Sequence, residues 1–355
     1  MTKTNSGNFF EDFRLGQVIR HATPRTVTHG DVALYTSLYG SRFAVNSSAE
    51  FARSIGLASG GAAPVDDLLA FHVAFGKTVP DVSLNAVANL GYAAGRFGAP
   101  VYPGDTLATT STVIGLKENS NKQTGVVYVR SVGANQRGEM VVDYIRWVMV
   151  RKRDVNAAIA EEKVPDLPAA VAAADLIVPE TLTLGDYDAE LAGNPHRWGD
   201  YSVGEKIDHV DGMTIEEAEH MMATRLWQNT AKVHFNQHTE SQGRFGRRLI
   251  YGGHIISIAR ALSFNGLANA FKVVALNGGR HTNPTFAGDT IYAWSEVLDK
   301  LEIPGRSDVG ALRLRLVATK NQPCAKFPMK AEEDGFGNAV AMPVLDLDYT
   351  VLMPR

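Results

Sequence analysis

A single cysteine, Cys324, stands in 355 residues, so no intrachain disulfide can form and the fold must rest on packing. Nothing approaches the roughly 18 consecutive apolar residues that span a bilayer. The N-terminal stretch Met1-Thr2-Lys3-Thr4-Asn5-Ser6-Gly7-Asn8 lacks the apolar core of a signal peptide. A cytoplasmic protein with no membrane partner is the expectation. The excess of charge is small, −3 at pH 7, which argues against the basic patch of a nucleic-acid binder. No Gly-Lys-Ser/Thr follows the glycines of Asn277-Gly278-Gly279-Arg280-His281, so no phosphate loop is read there. His220, His234, His238 and His254 lie in one half, yet no helical His-x-x-x-His stands beside a carboxylate. A metal site is therefore not expected.

What the chain has is a long internal repeat. Asp12-Phe13-Arg14-Leu15-Gly16 is answered by Asp200-Tyr201-Ser202-Val203-Gly204, at an offset of 200 − 12 = 188. Gly40-Ser41-Arg42-Phe43-Ala44-Val45-Asn46 aligns with Gln228-Asn229-Thr230-Ala231-Lys232-Val233-His234 at the same offset. Gly60-Gly61 is matched with Gly252-Gly253. Pro100 to Thr106 answers Pro284 to Thr290, and Asp143-Tyr144 answers Asp348-Tyr349. A repeat of this length is a duplicated domain. The expected organisation is a first unit over 1–155, a linker over 156–197 and a second unit over 198–355. The linker reading rests on alanine-rich Ala157–Glu162 and Ala169–Asp175, broken by Pro165, Pro168 and Pro179, as short helical pieces on the surface.

Each half carries the same element order. Thr28-His29-Gly30-Asp31 and Thr214-Ile215-Glu216-Glu217 read as helix N-termini. A densely apolar helix follows, near Val65–Phe75 in one half and Ile255–Ala270 in the other. It is too apolar for a surface helix and is expected to be buried. Thr106–Ile114, Gly125–Arg130 and Met140–Val150 are β-branched runs that predict long strands. The fold class is α+β, one buried helix and an antiparallel sheet per half.

This order and these motifs resemble the hot-dog fold, in the double form found among MaoC-like dehydratases and (R)-specific enoyl-CoA hydratases. The resemblance covers nearly all the chain outside the linker. Within that family, Trp227 to Asn236 and Ile250-Tyr251-Gly252-Gly253-His254 are similar to the enzymes that hydrate mesaconyl-CoA (2-methylfumaryl-CoA) to β-methylmalyl-CoA. The resemblance implies an acyl-CoA thioester partner and neither metal nor redox cofactor, because the thioester acidifies the α-carbon. Fused chains of this kind already hold one pseudo-dimer, with which a homo-oligomer is compatible.

The family loop has an aspartate and, five residues later, a histidine that exchange protons with water and the α-carbon. Here the histidine is His234 and the aspartate position holds Asn229; the first half has Asn46 and Ser41 there. An amide has no proton to give at neutral pH, so Asn229 can only position water. Asp66 and Asp67 are candidates for a carboxylate supplied from across the pseudo-dimer. Imidazole titrates where proton transfer needs it, which favours His234 over a packed histidine. Gly253 implies an amide at a helix N-terminus for the thioester oxygen. His254 beside it is expected chiefly to pack, with substrate contact as the alternative. Arg225 is the first candidate for the substrate's second carboxylate. Lys232, Arg247, Arg248, Arg280 and His281 are candidates for the thioester end or the CoA phosphates, against the plainer reading of solvated charges. Gly104-Asp105 and Gly288-Asp289 recur in both halves and predict tight turns. Three other readings stay open: a straight-chain (R)-specific enoyl-CoA hydratase, a thioesterase and a non-catalytic acyl-CoA-binding protein.

Overall fold

The computed structural model describes residues 3–158, 161–333 and 339–355; Ile159 and Ala160 of the alanine-rich stretch lie outside them. Strands in chain order are β1 Val18–Arg20, β2 Arg25–Thr26, β3 Ala86–Phe97, β4 Thr106–Glu118, β5 Thr124–Ala134 and β6 Met140–Arg151. The second half adds β7 Lys206–Thr214, β8 Lys272–His281, β9 Thr290–Glu302, β10 Val309–Lys320, the short β11 Glu332–Glu333 and β12 Ala339–Ala341, and β13 Pro343–Pro354. Eleven of them form one sheet in the order β1-β4-β5-β6-β3-β8-β13-β10-β9-β7, with β2 on β4. Each half thus repeats one antiparallel order, and β3 and β8 meet edge to edge. Tyr92 stands opposite Gly279, and Gly95 opposite Leu276. Gly95 is required there, since a Cβ would fall 2.8 Å from that of Leu276. This is the expected double hot-dog.

Two central helices, Asp67–Thr78 and Gly252–Leu262, carry the core. Every residue from Gly253 to Leu262 is buried, as the apolar run predicts. The second helix ends earlier than expected. Gly266 has φ 101° and Asn265, at φ −71° and ψ 104°, is not helical. The chain turns there because His209 and Asn265 exchange side chain-to-backbone hydrogen bonds of 2.7 and 3.0 Å, and the Tyr201 hydroxyl donates to Gly266 O at 2.7 Å. The 156–197 segment also differs from a plain surface piece. Leu176, Leu182, Leu184 and Tyr187 are buried in a core of their own with Phe51, Phe271 and Val274.

The duplicated turns are structural. Gly104 and Gly288 take φ 102° and 92°, which favours glycine. Asp105 and Asp289 each accept the amide three residues back, from Tyr102 and Phe286, at 2.9 Å. Asp143 and Asp348 each bind an arginine of the neighbouring strand, Arg130 and Arg313. Thr28 caps its helix through a capping box with Asp31. Thr214 does not: it ends β7 and bonds Thr290, and the following helix, Glu217–Leu226, has no side-chain cap. Cys324 is buried. Among the described residues no helix is long and apolar enough to cross a membrane.

Candidate active site

The His234 loop is set up by the way its preceding helix stops. Helix Glu217–Leu226 ends in Trp227, and Gln228 adopts the left-handed conformation at φ 53°. Gln228 N–H returns to Arg225 O at 3.1 Å and Asn229 N–H to Thr224 O at 3.0 Å, the pair of bonds of a Schellman terminus. Gly40 takes the same conformation, φ 58°, at the matching point of the first half. Asn229 is buried, and its Oδ1 accepts the Ala231 amide at 3.0 Å, which curls the chain into the short helix Lys232–Phe235. The first half clamps this turn. Gly76 of the first central helix lies against Trp227, where a Cβ would meet the carbonyl oxygen and lie 2.9 Å from its carbon. Lys77 bonds Gln228 Oε1, and Arg25 bonds Leu226 O. Tyr39 stacks on Trp227 at 6.1 Å.

His234 Nδ1 lies 2.9 Å from Leu249 O. A carbonyl can only accept, so Nδ1 carries the proton and the Nε2 lone pair of the neutral ring is free to act as a base. Enclosure of the ring pushes its pKa down to about 4, against the pull of that carbonyl. At neutral pH it is therefore an uncharged base.

Next to it begins the second central helix. Its N-cap, Tyr251, offers no side-chain cap, and Gly252 and Gly253 follow. The first amides of a helix have no intrahelical partner. Tyr251 N–H donates to His220 Nε2 at 2.9 Å, while the glycine amides have no acceptor among the described residues. The Tyr251 ring and His72 wall Gly253 so closely that a Cβ would meet Tyr251 Cε1 and lie 2.7 Å from Tyr251 Cζ and from His72 Cε1. The first half is built differently, and Gly60-Gly61 is not the counterpart of Gly252-Gly253. Gly60 and Gly61 sit in a loop at φ 57° and 82°, and their helix starts at Asp67. There Asp66 caps the Leu68 amide at 2.9 Å. The counterpart cavity, lined by Tyr35, Ser41, Asn46 and Asp66, holds about 10 Å³, room for one water.

Histidines surround the second helix start. His220 lies 6.2 Å from His234 and 5.7 Å from His254, ring to ring, and His234 lies 5.3 Å from Tyr251. His254 shares a 2.8 Å hydrogen bond with the Tyr39 hydroxyl. His72 packs on Trp227 at 4.4 Å and bonds Ser257 Oγ at 3.0 Å. Burial, then mutual repulsion of charge, pushes His220 down to about 2 and His72 to about 3. Burial alone takes His254 to about 3, and burial with the neighbouring His234 takes His281 to about 4. The cluster is neutral at pH 7.

The structure thus brings Asn229, His234, Gly253 and His254 to one region, with Arg248 beside it, and gives Arg225, Lys232 and Arg280 no place inside it. Arg225 is exposed on the last turn of its helix, and its guanidinium has no polar partner among the described residues. Lys232 is exposed. Arg280 points to the outer sheet face, where Asp346 pairs with it at 3.4 Å. Asp67 is engaged by Lys272 Nζ at 2.5 Å and by the Val273 amide, and Asp66 caps its own helix. Arg248 is the partly buried guanidinium near the cluster. It pairs with Glu217, its Nε is buried without a partner among the described residues, and its charge bears on His220. Sequence reasoning missed His220 and Tyr251 as site residues. A histidine one turn into the helix before the motif loop was the available signal for the first.

A family model described as mesaconyl-CoA hydratase matches residues 1–327. The chain is 68% identical over 353 residues to the β-methylmalyl-CoA dehydratase of Chloroflexus aurantiacus, covering 99% of each. It is 63% identical over 355 residues to the mesaconyl-CoA hydratase of Cereibacter sphaeroides, covering 99% of this chain and 100% of the other. A crystal structure of a MaoC domain protein dehydratase from Chloroflexus aurantiacus superposes with a TM-score of 0.94 at 68% identity, covering 100% of this chain and 99% of that one. A Mycobacterium tuberculosis protein with a double hot-dog fold superposes with a TM-score of 0.74 at 24% identity over 99% of both chains, a likeness of fold alone. The chain belongs to the mesaconyl-CoA hydratase family.

Proposed function

We propose that the protein is a hydro-lyase that reversibly adds water to 2-methylfumaryl-CoA, giving β-methylmalyl-CoA, at the site around His234. The observation that carries this is a neutral imidazole with a free Nε2 beside an uncapped helix N-terminus. Such a pair can take a proton from water and hold the negative charge that then develops. Residues 198–355 carry the chemistry in this reading, and residues 1–155 build the facing wall.

The steps follow from that geometry. The Gly253 amide holds the thioester oxygen, aided by the helix dipole. His234 Nε2 removes a proton from water as its oxygen bonds the β-carbon. The π electrons pass to the thioester as an enolate. The imidazolium, in a place that disfavours its charge, is a strong acid and returns the proton to the α-carbon. One group serving both transfers on one face gives syn addition. Asn229 keeps Oδ1 on the Ala231 amide, leaving its NH₂ to orient the water. No separate carboxylate is needed, and Asp66 and Asp67 are held by other partners.

His234→Ala tests the proposal. Loss of acid–base help lowers hydration by about 100-fold or more, with the circular dichroism spectrum kept. Near-normal turnover makes His234 a packed histidine and removes the mechanism. A wild-type protein that hydrates crotonyl-CoA as fast as 2-methylfumaryl-CoA reduces the assignment to a general enoyl-CoA hydratase.

A further inference from the structure

We propose that His281 is a further catalytic residue, whose Nε2–H joins the Gly253 amide as the second donor to the thioester oxygen. The proposal rests on the hydratase reading above. His281 is the last residue of β8, and alternation along the strand sends Arg280 outward to Asp346 and His281 inward. Its ring lies on Gly252, the first residue of the second central helix. A Cβ there would fall on Nε2 and lie 2.5 Å from Cε1 and 2.8 Å from Cδ2. Glycine at 252 is what lets an imidazole reach the uncapped helix start.

His281 Nε2 is buried without a hydrogen bond among the described residues. A buried polar atom left so destabilises the fold, and it is tolerated where a ligand supplies the missing partner. The glycine amides on the same helix turn are also donors without acceptors among the described residues. Donors without acceptors at one helix start fit an oxygen that gains negative charge. Tyr92 from the first half supports the ring edge-on at 6.3 Å.

A neutral imidazole suits this role. It donates to the enolate oxygen without giving up its proton, so the charge stays where the α-carbon can be reprotonated. His281 keeps its proton throughout. The proton taken from water travels only through His234, the water oxygen bonds the β-carbon, and the thioester carbonyl re-forms as the α-carbon gains hydrogen.

The test uses the full chain with His281→Leu and His281→Gln. Removing one oxyanion donor lowers kcat by about 100-fold. KM changes little, and Gln, whose amide can donate, recovers part of the loss. Gly252→Ala, which displaces the ring, gives a similar loss, and adding His281→Leu to it costs little more. A second readout separates donation from packing. With turnover slowed by His234→Ala, bound 2-methylfumaryl-CoA shows its enoyl-thioester absorption moved to longer wavelength by a polarised carbonyl. His281→Leu shrinks that shift. If His281→Leu keeps kcat within about threefold, or loses activity with the full band shift intact, the assignment is overturned while the hydratase reading stands. A wild-type protein that hydrates no enoyl-CoA overturns both.

Discussion

Gly253→Ala sets two effects of known size against each other. In a helix, alanine is favoured over glycine by up to about 1 kcal/mol. At position 253 the new methyl would lie 2.7 Å from Tyr251 Cζ and from His72 Cε1. That is roughly 1 Å short of the distance at which carbon atoms pack. Neither neighbour can give way cheaply. The Tyr251 amide is held by His220, and His72 is fully buried against Trp227 and bound to Ser257. Overpacking of this kind costs about 1–3 kcal/mol, so sterics outweigh propensity. The relief is a shift of the helix start, which carries the amide proposed to hold the thioester oxygen. A misplacement of about 1 Å costs up to about 100-fold in rate. The expected result is a lower melting temperature and a kcat on 2-methylfumaryl-CoA reduced far beyond what the stability loss explains. Hydration is followed by loss of enoyl-thioester absorbance at a temperature where circular dichroism shows the variant folded. A variant with unchanged kcat refutes the placement of the oxygen at Gly253.

Asn229→Asp keeps substantial hydration activity, since Asp also accepts the Ala231 amide and restores the family's side chain, while Asn229→Ala is slow. Inactivity of the Asp variant in the same assay removes the water-positioning role. Stability falls with acid: His72, His220 and His254 are neutral in the fold with pKa values of about 3, 2 and 3, below the unfolded value of about 6.5. Their stability is whole above pH 6.5 and drains as pH falls toward those values, at about 2 kcal/mol each by pH 5. Against a typical total of about 5–15 kcal/mol this predicts a melting temperature that drops steeply between pH 6.5 and 5, and a flat profile contradicts it. Arg248→Gln erases the preference for 2-methylfumaryl-CoA over crotonyl-CoA, because an apolar acyl group gives the buried Arg248 Nε no acceptor whereas a carboxylate does. Arg225→Ala, at an exposed position, leaves the ratio of the two kcat/KM values; the reverse pattern returns the carboxylate to Arg225.

What could be read from the chain was local or periodic. The Gly-Asp turns, the strands and the buried helices announce themselves within a dozen residues. The double hot-dog follows from their repetition, and the equivalence of Asn229 with Ser41 is upheld by left-handed residues before both. Site details that depend on direction were not legible. Gly60-Gly61 was a false partner because the first helix begins at an aspartate cap, not at glycine. Arg280 and His281 are neighbours in sequence but face opposite sides of β8, and bulges against β13 shift that phase in ways no alternation count anticipates. His220 reaches the site through a hydrogen bond 31 residues along the chain.

The two copies differ most where an anion would sit. In the first half the helix start is closed by Asp66, a carboxylate already on the Leu68 amide. A second anion there would meet repulsion and find that donor taken. In the second half the equivalent turn is glycine, its amides open and its walls made of neutral rings. The first copy still acts on the second. Gly76, Lys77, Arg25 and Tyr39 fix the turn before Asn229, His72 walls Gly253, and Tyr92 backs His281. Its central helix therefore supplies position rather than chemistry. Ser41 and Asn46, in place of the proposed Asn229 and His234 pair, are compatible with every one of these contacts, because none of them passes through those two side chains.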